Sequence, residues 1–295
     1  MPTERIYHVG GDLVAADEAT VSVEDRGFLY GDAAFETMRA YDGEIFEWDA
    51  HMDRLNETCD VLGLDHGLSR GDLKARVDET LDANGVGDAY VRLSITRGVQ
   101  PGKLTPDEVV DPTVVVIVKP LSRGGRQSQP VWDGPATLQT VKTKRMPDAA
   151  IPSRVKTHNY LNGILARLEL RVTDADEALM VDLDGRVTEG ATSNLFFVQN
   201  NALRTPSLDG PVLPGTTRRV VLELAAEEGI PVKEGQYTPD DVRQADEVFL
   251  TNSTWELRPV ETVDGISVGD REGAGPVTTL LSRLFDAHVE STHYE

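Results

Sequence analysis

The chain has 295 residues, of which 39% are hydrophobic and 27% charged, and a formal net charge of −21. That length buries a large core and favours two domains; the charge repels nucleic acid and anionic lipid, so neither is expected as a partner; no apolar run approaches the roughly 20 residues that span a bilayer. The single cysteine, Cys59, excludes an internal disulfide and argues against a cysteine-built metal site.

The opening Met1-Pro2-Thr3-Glu4-Arg5 is polar and lacks the apolar core of a signal peptide, which points to the cytoplasm. Arginine outnumbers lysine 22 to 7, and aspartate outnumbers glutamate 28 to 22. An acid-rich, lysine-poor surface is that of proteins from a high-salt cytoplasm, where screening tolerates the self-repulsion; a halophilic protein is therefore expected.

In chain order, Asp49 is placed to cap a helix whose apolar positions are Met52, Leu55, Cys59 and Leu62, ended by Gly63. Core packing is the expected fate of Cys59 on that stripe. A second helix carries Leu73, Val77 and Leu81 and stops at Asn84-Gly85. Ala89–Thr96 alternates as a strand, with Val91, Leu93 and Ile95 on one face and Tyr90, Arg92 and Ser94 on the other. The β-like run Thr113–Lys119 is followed by the linker-like Leu121-Ser122-Arg123-Gly124-Gly125-Arg126-Gln127-Ser128. A domain of residues 1–120, a linker of 121–129 and a domain of 130–295 follow. In the second half, Leu161, Leu165 and Leu168 mark a helix, 178–181 and 194–198 read as strands, and 217–228 reads as a helix punctuated by Gly229 and Pro231. Glu247–Thr251 reads as a strand, and Val277, Leu280, Leu281, Leu284 and Phe285 mark a last helix. Helices and strands mix in both halves, so the class is α/β or α+β.

There is no Gly-rich dinucleotide fingerprint, no phosphate loop with Gly-Lys-Ser/Thr and no His-Glu-x-x-His helix, and the six histidines have no metal-ligand spacing. No metal is expected. The informative stretch is Glu189-Gly190-Ala191-Thr192-Ser193-Asn194-Leu195-Phe196, continued by Leu203-Arg204-Thr205 and Leu213-Pro214-Gly215-Thr216-Thr217-Arg218. It resembles the signature of the class IV aminotransferases, the fold-type IV enzymes of pyridoxal 5'-phosphate (PLP), over about 30 positions. Four further stretches resemble that family's motifs in the family's order: Tyr30–Arg39, His51–Leu55, Lys156–Leu161 and Phe249–Val260.

The resemblance implies an N-terminal α/β sandwich, a C-terminal barrel-like α/β domain, a homodimer and small-molecule amino-acid and keto-acid substrates. It assigns Lys156 as the Schiff-base lysine, which alone would read as a solvated surface residue. Glu189, otherwise a turn glutamate, becomes the carboxylate that keeps the cofactor's pyridine nitrogen protonated. Arg54, flanking the Met52/Leu55/Cys59 stripe, takes the phosphate with its forked guanidinium. Thr216 and Thr217 open a helix, where amides and the helix dipole favour an anion; helix capping is the simpler role for the pair. The family usually has an aliphatic residue in place of Thr216, but the position mainly offers its amide. Ser253 aligns with the family's hydroxyl ligand in the last loop, where the resemblance has Thr254 and its neighbour offer amides to a substrate carboxylate. Tyr160 resembles the tyrosine that bonds the cofactor's phenolic oxygen, although its spacing from Lys156 is one shorter than in some relatives.

For the reaction, Tyr90 and Arg92 resemble the Tyr-x-Arg with which branched-chain aminotransferases hold substrate carboxylates, against the plainer reading of a solvated strand face. Tyr30 and Phe35 belong to the substrate side of the N-terminal motif. The segment Arg97–Lys103 lacks the Arg-x-His trap of D-amino-acid aminotransferases. Thr37 points elsewhere: branched-chain enzymes usually carry glycine there, whereas aminodeoxychorismate lyases carry threonine near the cofactor. Amino transfer between an L-amino acid of branched-chain type and 2-oxoglutarate is favoured, with 4-amino-4-deoxychorismate lyase, giving pyruvate and 4-aminobenzoate, as the alternative.

Overall fold

The computed structural model describes residues 5–123, 130–269 and 273–294. The chain divides into two units: the first comprises the described residues of Met1–Arg123 with Val155–Asn159 and Thr292–Glu295, the second those of Gly124–Arg154 with Tyr160–Ser291. Most of the expected linker, 124–129, lies outside the described residues.

The first unit contains β1 (Ile6–Val9), β2 (Asp12–Ala15), α1 (Arg26–Tyr30), β3 (Ala33–Tyr41), β4 (Glu44–Ile45), α2 (Trp48–Leu62), α3 (Arg70–Asn84), β5 (Ala89–Thr96) and β6 (Val114–Pro120). Its antiparallel sheet has the order β2-β1-β6-β5-β3-β4. Strand alternation then sorts the side chains. Ala34, Met38, Val91, Leu93, Ile95, Val116 and Val118 pack against Met52, Leu55 and Cys59 of α2 and Leu73, Val77 and Leu81 of α3. Burial of each Val, Leu, Ile or Met among them contributes about 1.5–3 kcal/mol. The other face of the paired strands carries Phe35 opposite Ser94, Thr37 opposite Arg92 and Arg39 opposite Tyr90.

Asp49 is not the cap of α2. The helix begins at Trp48, its cap position is Glu47 in the left-handed region (φ 56°), and Asp49 sits in the first turn, where a carboxylate favours the helix dipole. Ser69 and Asp72 form a reciprocal capping box that starts α3.

The second unit contains β7 (Ala136–Thr140), α4 (Leu161–Glu169), a 3-10 turn (Leu170–Val172), β8 (Glu177–Val181), β9 (Val187–Gly190), β10 (Asn194–Gln199), β11 (Ala202–Pro206), α5 (Thr216–Glu227), β12 (Val232–Gly235), α6 (Pro239–Arg243), β13 (Glu247–Asn252), β14 (Glu256–Val263), β15 (Ile266–Ser267) and α7 (Pro276–His293). The sheet runs β12-β11-β10-β13-β14-β7-β8-β9 with β15 appended to β14. It curls so that its end strand β9 comes back against β10 and β11, giving the barrel-like form expected. Leu138, Leu179, Val187, Leu195, Phe197, Val248, Leu250 and Val260 form its apolar core.

A continuous second domain of 130–295 is not what the structure has: 155–159 groups with the first unit. The reason is backbone pairing at the start of β3. Phe35 N–H donates to Lys156 O and His158 N–H donates to Ala33 O, both at 3.0 Å, so Thr157 bridges to Ala34 as a strand would. Residues after Ser291 also group with the first unit, where Tyr294 Oη donates to Asp88 at 2.6 Å.

Candidate active site

In the first unit, Lys156 is fixed by its backbone. Its N–H donates to Thr58 Oγ1 at 3.0 Å, and Thr58 Oγ1 donates to Arg54 O at 2.8 Å. The lysine is thereby tied to α2 on one side and to β3 on the other. Its Nζ lies 4.8 Å from the ring centre of Phe35, over the ring, while the Arg92 guanidinium lies 3.8 Å from the same centre. Arg92 Nε donates to Ser94 Oγ at 3.2 Å, and Thr37 sits opposite Arg92 across the strand pair. Two cations on one aromatic ring are favourable to each contact but repel one another, so the group is suited to receive an anion.

Arg54 points to β3. Its Nε and Nη2 donate to the two carboxylate oxygens of Glu36 at 2.7 and 2.6 Å, and His51 Nδ1 lies 2.8 Å from Glu36 Oε2. Glu36 is fully buried. Burial alone pushes its carboxyl up, but the charge and fork of Arg54, with the His51 hydrogen bond, outweigh it and hold it down to about 2. An ionised carboxylate only accepts hydrogen bonds, so His51 Nδ1 carries the proton between them.

His158, to which the sequence alone assigns no role, lies 3.1 Å from Ser94 Oγ by its Nε2 and meets Phe35 edge-on at 5.5 Å. Burial, and then the Arg92 charge, push its imidazole down to about 4 from 6.5. The folded protein therefore refuses a proton that the unfolded chain accepts, and stability must fall as pH drops from 6.5 towards 4. His51 is shifted in the same direction, by burial. Denaturant unfolding across that range should show a slope of about 1.4 kcal/mol per pH unit for each such proton, and His158→Asn should flatten it. An unchanged slope in that variant would assign the acid lability elsewhere.

In the second unit the central group is Glu189, buried on β9. Arg145 Nε donates to its Oε1 at 2.9 Å. Asn194 Nδ2 and Leu213 N–H donate to its Oε2 at 3.2 and 3.0 Å, and Asn194 also donates to Leu213 O at 2.9 Å. The turn after Glu189 is braced by Glu177, which accepts from Thr192 Oγ1 at 2.6 Å and from Arg167 at 3.1 Å. Gly215, the cap of α5, has no room for a side chain: a Cβ there would overlap Asn194 Oδ1. Thr216 and Thr217 are the first two residues of α5, so the pair lies in the opening turn and does not cap it. Their amides belong to the set that a helix leaves without internal partners.

Ser253 lies half-buried in the turn between β13 and β14. The neighbouring amides differ from expectation. Thr254 N–H and Oγ1 donate to Asn252 Oδ1 at 3.0 and 2.9 Å, and Trp255 N–H donates to the same oxygen at 2.7 Å. The amides that the resemblance offers to a substrate carboxylate are taken by the Asn252 side chain. Tyr160 precedes α4 as its cap residue. Tyr30 is 40% exposed beneath the Arg26 guanidinium, and Tyr90 is half-buried.

The structure thus brings together Lys156, Phe35, Thr37 and Arg92 in one unit, and places Glu189 with Arg145, Asn194 and the start of α5 in the other. Glu36, His51, His158 and Arg145 are not singled out by the sequence; their partners lie 15 to 64 residues away, beyond any local pattern. Among the described residues no group of three or more His, Cys, Asp or Glu is arranged to hold a metal, and no helix is long and apolar enough to cross a membrane.

An amine with a fixed backbone and an arginine in the first unit, and a buried carboxylate met by N–H donors and a helix start with no side-chain cap in the second, are of the kinds that an aldehyde, a phosphate dianion and a pyridine nitrogen need. These residue types fit PLP. The sequence profile of amino-transferase class IV matches residues 33–263. A Methanocaldococcus jannaschii protein assigned as a branched-chain-amino-acid aminotransferase is 38% identical over 283 residues, 95% of each chain. A D-alanine aminotransferase of Listeria monocytogenes is 33% identical over 94% of this chain and 93% of its own. An aminodeoxychorismate lyase of Bacillus subtilis is 31% identical over 98% and 97%. Among solved structures, the branched-chain amino acid aminotransferase of Escherichia coli superposes with a TM-score of 0.87 at 29% identity, covering 96% of this chain and 93% of that one. A second branched-chain amino acid aminotransferase, solved with pyridoxamine 5'-phosphate, superposes with the same TM-score of 0.87 and covers 99% of this chain and 95% of its own. The chain belongs to the class IV aminotransferase family and is a PLP-dependent transferase.

Proposed function

We propose that this enzyme transfers an amino group between an L-amino acid of branched-chain type and 2-oxoglutarate. The observation that carries the reading is the Phe35 platform, with the Lys156 amine and the Arg92 guanidinium on one ring. It sets a cation that can hold a substrate carboxylate beside the amine that performs chemistry on its α-carbon. When bound, PLP supplies an aldehyde for amines and a ring that withdraws electrons from that carbon. Lys156 Nζ holds the cofactor and then takes and returns the α-proton. Arg54, the amides of Thr216 and Thr217 and the Ser253 hydroxyl bind the phosphate; Glu189 keeps the ring nitrogen protonated; Tyr160 bonds the phenolic oxygen. Arg92, with Tyr90, orients the substrate carboxylate.

Arg97 is not a candidate for that role. Its guanidinium is buried, bonded to Asp32 and to the carbonyls of Leu62 and Gly63. This argues against a D-amino-acid preference set by that loop. Thr37, opposite Arg92, supports the second reading, an aminodeoxychorismate lyase. Both readings use the same proton transfer by Lys156 and part only afterwards.

The composition supports a high-salt cytoplasm, and a homodimer is supported by the exposed apolar stripe Leu161, Ile164, Leu165 and Leu168 on α4. The test is a paired assay on PLP-loaded protein in high salt. One arm offers L-leucine, L-valine or L-isoleucine, with D-alanine as the comparison, together with 2-oxoglutarate, and follows glutamate. The other offers 4-amino-4-deoxychorismate and follows pyruvate and 4-aminobenzoate. Glutamate from the L-amino acids is expected; pyruvate with 4-aminobenzoate and no glutamate would replace the reading with the lyase.

A further inference from the structure

Arg145 belongs to the segment between β7 and α4, fixed there by its own N–H, which donates to Val181 O at 2.8 Å. Its side chain reaches a carboxylate 44 residues away. Arg145, Asn194 and Leu213 all meet the Glu189 carboxylate as N–H donors: the guanidinium on Oε1, the side-chain amide and the backbone on Oε2. A protonated carboxyl would have to turn its own O–H towards these donors, which offer it nothing to bond to. The other acid on the adjoining strand, Glu177 of β8, is occupied by Arg167, Thr192 and the Ala178 N–H.

We propose that Arg145 is a positioning residue for the cofactor's ring nitrogen, acting through Glu189. It fixes the carboxylate's direction and lowers its basicity. A proton shared between two bases resides on the more basic one, so a carboxylate weakened by a guanidinium and two further N–H groups leaves the proton on the nitrogen. The protonated ring withdraws electrons more strongly, so Arg145 supports turnover without touching substrate. The inference rests on the reading that Glu189 serves the ring nitrogen.

The test uses holoenzyme reconstituted with ring-nitrogen-labelled PLP, read by nitrogen NMR, with kcat and KM measured beside it. Wild type is expected to show a protonated nitrogen at neutral pH. Arg145→Met and Arg145→Gln should move the signal towards the unprotonated form and lower kcat about tenfold, as for a one-unit change in a functional pKa, with KM little altered. Arg145→Lys, which keeps a cation, should lie closer to wild type. If the methionine variant does not fold, the polar glutamine variant supplies the same comparison. A wild-type signal in the neutral variants overturns the proposal, as does a lysine variant no better than they are. Glu189→Gln separates the two layers: a wild-type signal there overturns the role of Glu189 and the proposal with it, whereas a changed signal there with none in Arg145→Gln overturns the proposal alone.

Discussion

Lys156→Ala is expected to lower turnover by about 10⁴-fold or more, the scale on which removal of a covalent catalytic group acts. The backbone of residues 155–159 is held by hydrogen bonds to Ala33, Phe35 and Thr58, none of which involves the lysine side chain. The variant should therefore fold as wild type does. It should also retain PLP, because the proposed phosphate ligands Arg54, Thr216, Thr217 and Ser253 are untouched. Cofactor retained after desalting, read by absorbance, together with the rate of glutamate formation, checks both halves. Wild-type turnover in this variant would remove Lys156 from the mechanism; loss of PLP with a normal fold would show that the phosphate contacts alone do not hold it.

Glu36→Gln should produce the largest change in stability. Glu36 is fully buried and both its oxygens are engaged by Arg54, itself 8% exposed. Removing the negative charge leaves a buried guanidinium with no compensating carboxylate, which costs on the order of 3–5 kcal/mol. Adding Arg54→Met should recover part of the loss, since removing both charges is far less costly than removing one. The pH dependence has a definite sign. The Glu36 carboxyl is brought down to about 2 from 4.5, so its contribution is present above 4.5 and is lost as pH falls towards 2. Denaturant unfolding of wild type and both variants, at neutral and acid pH, measures all of this. A single variant as stable as wild type would mean that water or a movement of Arg54 relieves the buried charge.

The local structure was legible where one periodicity dominates. The alternation in Ala89–Thr96 marks that strand with its observed bounds, because one face must be apolar to cover α2 and α3 while the other carries charge. The helix over Met52, Leu55 and Cys59 was legible for the same reason. Its start was not: Glu47 takes a left-handed conformation that no cap residue signals. The stripe on α4 marked a helix but not its surroundings, since Leu161 and Leu165 are exposed and Ala166 is the buried member. Periodicity gives the direction in which a face points and leaves open what, if anything, covers it.

By itself the sequence, through its resemblance to one family, pointed to a PLP-dependent transferase and nominated Lys156, Glu189, Arg54 and the helix start at Thr216 as the groups proposed to serve it. Only the tertiary structure decided which charges sustain them. Glu36 against Arg54, Arg145 against Glu189 and His158 beside Phe35 join residues far apart in the chain. Strand pairing and burial make these contacts, and the ionisation of a buried group depends on its neighbours in space rather than in sequence.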